Sequence, residues 1–302
     1  MVVGLAGPEL TARERAWFTA RPPLGVMLFA RNIRSPEQVR RLLADAREAA
    51  GRELWAAIDE EGGRVSRMPW PPFAGRKPAA EYGAWFRRDP EQATQAVWRD
   101  SREVGQALAE LGFTHNCAPV LDVFHPGGHA VIGERAWADD PAVVAGLGLA
   151  CARGLAEAGI AAVGKHFPGH GRADADSHRA VPAVGAPLET VLAEAEPFRR
   201  LIAGESGVRL AHVMTAHVRY DCSNDGEVAT MSRFWLGEVL RKRFGFAGTV
   251  WSDDLCMAGA GGSAPAGIPE AAAKAVAAGC DVLLVCEPAG VEAAYRAWLE
   301  AA

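Results

Sequence analysis

An α/β fold, and within that class a single (β/α)8 barrel of the TIM type, is what this sequence predicts. Short runs rich in Val, Leu and Ile recur along the chain, most of them continuously apolar, with helical patterns between them. That grammar suits parallel strands covered on both faces. Polar residues lie at or after the ends of many runs: Arg31, Asp59, Asp122 near the fourth, Lys165 with His166, His217, and Asp253 with Asp254. An open doubly wound sheet gathers its polar groups at one switch point, whereas a barrel collects them from a ring of strand ends. No linker or internal repeat of domain size interrupts the sequence, so residues 1–302 are expected to form one catalytic domain.

Val2–Leu5 and Gly25–Phe29 are the first two expected strands. Ser35-Pro36-Glu37 then starts a helix, with Ser as N-cap and Pro as first helical residue. Val39, Leu42, Leu43, Ala46 and Ala50 fall on one face of it. Leu54–Ile58 is the third strand, and Asp89-Pro90-Glu91 repeats the start signal before a helix carrying Val97, Val104, Leu108 and Leu111. Ala118–Val123 is the fourth strand, followed by Asp140-Pro141 and a helix with Val144, Leu147, Cys151 and Leu155 on one side. Ile160–Val163 and Val208–Met214 are the fifth and sixth. Ser232 caps a helix bearing Leu236, Val239 and Leu240, which closes at Gly245. Thr249–Trp251 and Asp281–Val285 complete the set, joined in part by the Gly-, Ala- and Pro-rich loop Gly259–Pro269.

The composition, 49% hydrophobic and 23% charged, is that of a soluble globular protein. A net charge of -5 gives no reason to expect nucleic acid or an anionic membrane as partner. The opening Met1–Pro8 has no basic region and too short an apolar stretch for a signal peptide, and no run approaches the length that spans a bilayer. The six cysteines are scattered without a CxxC pair and read as small, mostly buried hydrophobes. A cytoplasmic location is therefore expected.

The densest chemistry lies in Lys165-His166-Phe167-Pro168-Gly169-His170-Gly171, with Asp174, Asp176 and His178 close behind. Such groups must be paired or wet when they lie against a core, and Gly and Pro among them mark a loop. Ser252-Asp253-Asp254 places two carboxylates at a strand end; alternation sends one to the mouth and leaves the other to cap the turn or pair with a cation. In Ile58–Val65, Asp59 stands at a strand end as a binding candidate, whereas Glu60 and Glu61 read as a solvated acidic loop. Arg135, within Val131–Trp137, is equally a substrate clamp or a surface side chain, and Arg64 and Arg67 are ambiguous. His166, His170, His178 and Asp253 could serve as ligands of a metal-dependent hydrolase, although Pro168 and Gly169 exclude a helical HExxH arrangement. His115, His125 and His129 read as structural or surface residues.

Taken in order, Asp59–Val65, Ile132–Ala136, Lys165–Gly171 with Asp176-Ser177-His178, Val213–Val218 and Ser252–Leu255 closely resemble the bacterial β-N-acetylglucosaminidases (β-hexosaminidases) of glycoside hydrolase family 3, the single-domain cytoplasmic kind. The resemblance implies Asp253 as nucleophile and His178 as general acid/base held by Asp176. It implies Asp59, Arg67, Arg135, Lys165 and His166 as ligands of a terminal N-acetylglucosamine. Trp251, Ser66 and Cys256 depart from the residues more usual in the family. Since the sequence ends soon after the last strand and its helix, the second domain of larger members is expected to be absent.

The chemistry of the residues agrees. Retaining hydrolysis ordinarily uses two carboxyl groups, but histidine titrates near neutrality and can both give and take the proton. The expected activity is exo-acting, retaining release of N-acetylglucosamine from oligosaccharides or cell-wall muropeptide fragments in peptidoglycan recycling. No metal and no cofactor are expected. A phosphorylase using the same residues is the near alternative; a metal-dependent amidohydrolase and a sugar-binding protein without turnover are the more distant ones.

Overall fold

Eight parallel strands close into a barrel: Val2–Gly4, Gly25–Leu28, Trp55–Ile58, His115–Asn116, Ala161–Phe167, His212–Thr215, Thr249–Asp254 and Val282–Val285. Each pairs with its successor, and the ring shuts where Val2 meets Leu284 and Val3 meets Val285. The computed structural model describes the chain apart from residues 205–206, 262–266 and 301–302, with backbone alone for residues 297–300. Residues 262–266 of the expected loop Gly259–Pro269 thus lie outside the described residues, while Pro269 belongs to the helix Ile268–Ala278. The fold is a (β/α)8 barrel of the TIM type.

Strand alternation sorts the core into two layers. Val2, Met27, Ala57, Cys117, Val163, Met214, Trp251 and Val282 fill the lumen. Their neighbours Val3, Val26, Leu28, Ile58, Val213 and Val250 pack outward against the helices. The helices begin where the capping signals lie: the side chains of Ser35, Asp89 and Asp140 accept the N–H of Gln38, Gln92 and Ala142, with Pro as the first helical residue each time. The helix after Ser232 runs over Phe234–Arg243 with wide, π-type pairing. Among the described residues, no helix is long and apolar enough to cross a membrane.

An aromatic plug closes the N-terminal end of the barrel. Trp251 stacks on Trp55 with centroids 5.6 Å apart, and His115 lies 4.4 Å from Trp55 and 4.9 Å from His212. Burial holds the His115 imidazole down to about 3, so it is neutral in the working range. The departure at Trp251 has a structural role, since its indole fills the lumen beneath the site.

Every strand differs from expectation by at least one residue; the sixth begins at His212 rather than Val208, and the differences at the fourth, fifth and seventh bear on the site. The fourth strand is His115–Asn116, not Ala118–Val123, because Pro119 lacks the N–H a ladder needs. The segment still follows the fifth strand, with Leu121 N–H donating to Lys165 O at 2.6 Å, and this carries Asp122 to the mouth. The fifth strand extends to Phe167 and the seventh to Asp254. Lys165, His166, Asp253 and Asp254 therefore sit within strands, held more rigidly than loop residues. The loop after Phe167 is pinned backbone to backbone: a Cβ on Gly171 would lie 1.7 Å from Val123 O.

Candidate active site

The strand ends surround a pocket of about 320 Å³ at the C-terminal mouth of the barrel, of the size that holds a small ligand. One wall is a row of alternating charges. Lys165, only 2% exposed, places Nζ 2.6 Å from Asp59 Oδ1 and 2.6 Å from Glu61 Oε1. Arg135 grips Glu61 in bidentate fashion at 2.8 and 2.9 Å, and Arg67 Nη2 donates to Asp59 Oδ2 at 3.1 Å. Burial alone would raise both acids, but Lys165 and Arg67 hold Asp59 far below the usual carboxylate range. Arg135 and Lys165 likewise bring Glu61 down to about 2. Burial works against the Lys165 charge, yet Asp59 and Glu61 lift its pKa above the ordinary lysine range. The row stays fully charged near neutrality and offers fixed donors and acceptors to vicinal hydroxyls.

Beside it, His166 Nδ1 lies 2.7 Å from the buried Asp122 Oδ2, while the backbone N–H groups of His166 and His170 donate to Asp122 Oδ1. Burial would raise Asp122, but His166 and His170 bring it to about 2. His166 Nε2 sits 3.5 Å from Arg135 Nη2 and borders the pocket. His170 is committed elsewhere, with Nε2 3.1 Å from Ser177 Oγ. Among the described residues no group of three or more His, Cys, Asp or Glu is placed to hold a metal ion.

Asp253 lines the pocket from the seventh strand and accepts the Asp254 N–H at 2.8 Å. Burial would raise its carboxyl, but the imidazoles of His217 and His166 and that N–H hold it below the usual range. Across the mouth, His178 has 62% of its side chain exposed, with Nδ1 2.8 Å from Asp176 Oδ1. Burial would raise Asp176, and the backbone and ring N–H of His178 instead lower it. A recessed carboxylate and an exposed imidazole thus share one pocket.

Asp254 also borders the pocket, but its Oδ1 accepts the N–H of Cys256 at 3.0 Å and of Cys286 at 2.9 Å, tying the seventh strand to the eighth. Burial raises its carboxyl to about 6, from an ordinary 3.8. The stability linked to this group is complete below about pH 4 and lost as the pH rises through about 6. Asp254→Asn, which keeps the acceptor and drops the charge, should therefore raise Tm at pH 8 and leave it near wild type at pH 4. Asp254→Ala orphans two N–H groups and should lower stability at pH 4, where no buried charge is relieved, by on the order of 2 kcal/mol. Thermal unfolding at the two pH values checks both.

Asp59, Arg67, Arg135, Lys165, His166, His178 and Asp253 all border this pocket, and Asp176 joins it through His178. Arg64 does not border it: it holds the 130–132 backbone with Ala130 O at 2.9 Å. The solvated-loop reading of Glu60 and Glu61 is overturned, since both side chains are buried against cations. Asp122 stands out in the sequence only by its position near a strand, and its contact with His166 is visible in the structure alone.

The chain matches the glycosyl hydrolase family 3 N-terminal domain over residues 6–301. It is 41% identical over 301 residues to a beta-hexosaminidase of Alkalilimnicola ehrlichii, covering 98% of this chain and 83% of the relative. The crystal structure of NagZ from Neisseria gonorrhoeae in complex with N-trifluoroacetyl-D-glucosamine superposes with a TM-score of 0.88 at 36% identity, covering 98% and 84%. A glycoside hydrolase family 3 beta-N-acetylglucosaminidase from Paenibacillus sp. gives 0.88 at 33% identity, covering all of this chain and 56% of that one.

Proposed function

Because this chain belongs to glycosyl hydrolase family 3, and is therefore a glycoside hydrolase, we propose that it is an exo-acting, retaining β-N-acetylglucosaminidase. The substrate class is N-acetylglucosamine-terminated oligosaccharide, with cell-wall muropeptide fragments of peptidoglycan recycling in the cytoplasm as the physiological form. The observation that carries the reading is one pocket combining an ionised, recessed Asp253 with an exposed imidazole backed by a carboxylate.

Asp253 attacks the anomeric carbon while His178 gives its proton to the departing oxygen, leaving a glycosyl ester on Asp253. His178 then takes a proton from water, whose oxygen attacks the same carbon and frees Asp253, so the configuration is inverted twice. Asp176 fixes the tautomer of the ring and stabilises its cationic form. Asp59, Arg67, Arg135, Lys165 and His166 bind the sugar hydroxyls, and Glu61 keeps Arg135 and Lys165 in place.

The test is cleavage of an aryl β-N-acetylglucosaminide beside the matching β-glucoside, with the first-formed anomer followed by NMR. Preference for the N-acetyl substrate and release of the β-anomer are expected. Preferential cleavage of the glucoside or first release of the α-anomer would overturn the reading, and sugar 1-phosphate in phosphate buffer would make phosphate the acceptor.

A further inference from the structure

Between Asp59 and Glu61, which belong to the charged row, Glu60 turns the other way. Its carboxylate is enclosed in the wall behind the third and fourth strands, with no exposure of its side chain. A buried carboxylate is costly unless its oxygens are used. Oε2 accepts the backbone N–H of Arg67 at 2.9 Å, and the Arg76 guanidinium stands 3.8 Å from Oε1. The Glu60 backbone is clamped as firmly. Its N–H donates to Asn116 Oδ1, its carbonyl accepts from Asn116 Nδ2, both at 3.0 Å, and Arg76 Nη1 reaches that carbonyl at 3.3 Å. Between residues 60 and 67 the chain doubles back in a tight turn, Glu61 and Gly62 donating to Val65 O, with Gly63 N–H tied to Arg76 O at 3.1 Å. Arg67, whose guanidinium meets Asp59 in the pocket, is therefore held at its backbone by one side chain.

We propose that Glu60 is a positioning residue for the hydrolysis: its carboxylate fixes Arg67 against Asp59 at the sugar-binding wall, and Arg76 is the counter-charge that keeps it there. This rests on the reading of the pocket as the sugar site. Glu60 touches neither substrate nor reacting atoms and acts through Arg67. Removing its acceptor leaves a buried N–H unpaired and lets the turn carrying Arg67 relax, so the loss falls on substrate orientation.

The experiment compares Glu60→Gln, which keeps an acceptor, with Glu60→Met, which fills similar space without one, each in wild-type and Arg67→Ala backgrounds. In Glu60→Met, kcat/KM on the aryl N-acetylglucosaminide should fall about tenfold, whereas Glu60→Gln should stay within about threefold of wild type. On Arg67→Ala, Glu60→Met should cost less than about twofold further, the non-additivity of residues acting as one unit. An undiminished loss in that background, or Glu60→Gln falling as far as Glu60→Met, would overturn the proposal. If Glu60→Met does not fold, Arg76→Met replaces it: a smaller loss that again vanishes on Arg67→Ala supports the inference, and an additive one refutes it. Failure of the sugar reading looks different, since wild type would then lack turnover of the N-acetylglucosaminide. Hydrogen exchange at the Arg67 amide, slow in wild type and Glu60→Gln and fast in Glu60→Met, reads the contact independently of substrate; equal rates in all three would overturn it.

Discussion

Asp253→Ala is expected to lower turnover by at least about 10⁴-fold, because in the proposed mechanism Asp253 forms the glycosyl ester. Asp253 sits near the end of a strand, its carboxyl is held below the usual range, and the Asp254 N–H fixes one oxygen. Its neighbour Asp254 has both N–H contacts of Oδ1 directed to the backbone, so its substitution should act through folding. A fluorinated N-acetylglucosaminyl donor that forms the ester but loses it slowly should label Asp253, and mass spectrometry of the digested protein locates the label. A label on Asp254, or an Asp253→Ala variant that turns over at more than a few per cent of wild type, would remove the nucleophile assignment.

His178→Ala is the second large effect, about 10²–10⁴-fold on substrates whose leaving group needs a proton. An activated phenol departs unaided, so glycosylation of Asp253 should survive while the second step slows for want of a base. A burst of phenol followed by slow turnover is therefore expected, with azide accelerating the second phase by trapping the ester. Asp176→Ala should give a milder version, since Asp176 only orients and polarises the ring through its 2.8 Å contact. Equal impairment on activated and unactivated substrates, with no burst, would assign His178 to binding instead.

The barrel was legible because its evidence is periodic: capping residues fell where helices begin, and apolar runs where strands pair. Boundaries failed where a local rule intervened, as at Pro119, or where polar residues stayed in the ladder, as at Lys165 and Asp254. Asp59 and Glu61, two apart at a strand end, carry the alternation signal that puts both on one side. A run of acids before two glycines resembles a wet loop until its cations arrive from Lys165 and Arg135, far away in sequence. Asp122 had a weaker signal, a lone carboxylate in an apolar run, and its partner His166 comes from the next strand. The pairing of Glu60 with Arg76 had none, for it depends on how an irregular loop folds back.

The packed rings of Trp55, Trp251, His115 and His212 fill the barrel beneath the pocket, so among the described residues the floor is closed. Under the proposed reading, a sugar that enters first must leave last, after its aglycone has cleared the entrance. A glycan cannot be threaded onward to present its next residue, so each cut ends the encounter and the shortened chain must be captured afresh. Degradation is then distributive: mixed lengths accumulate early in a digest, and free N-acetylglucosamine competes with incoming chain ends for the same blind pocket.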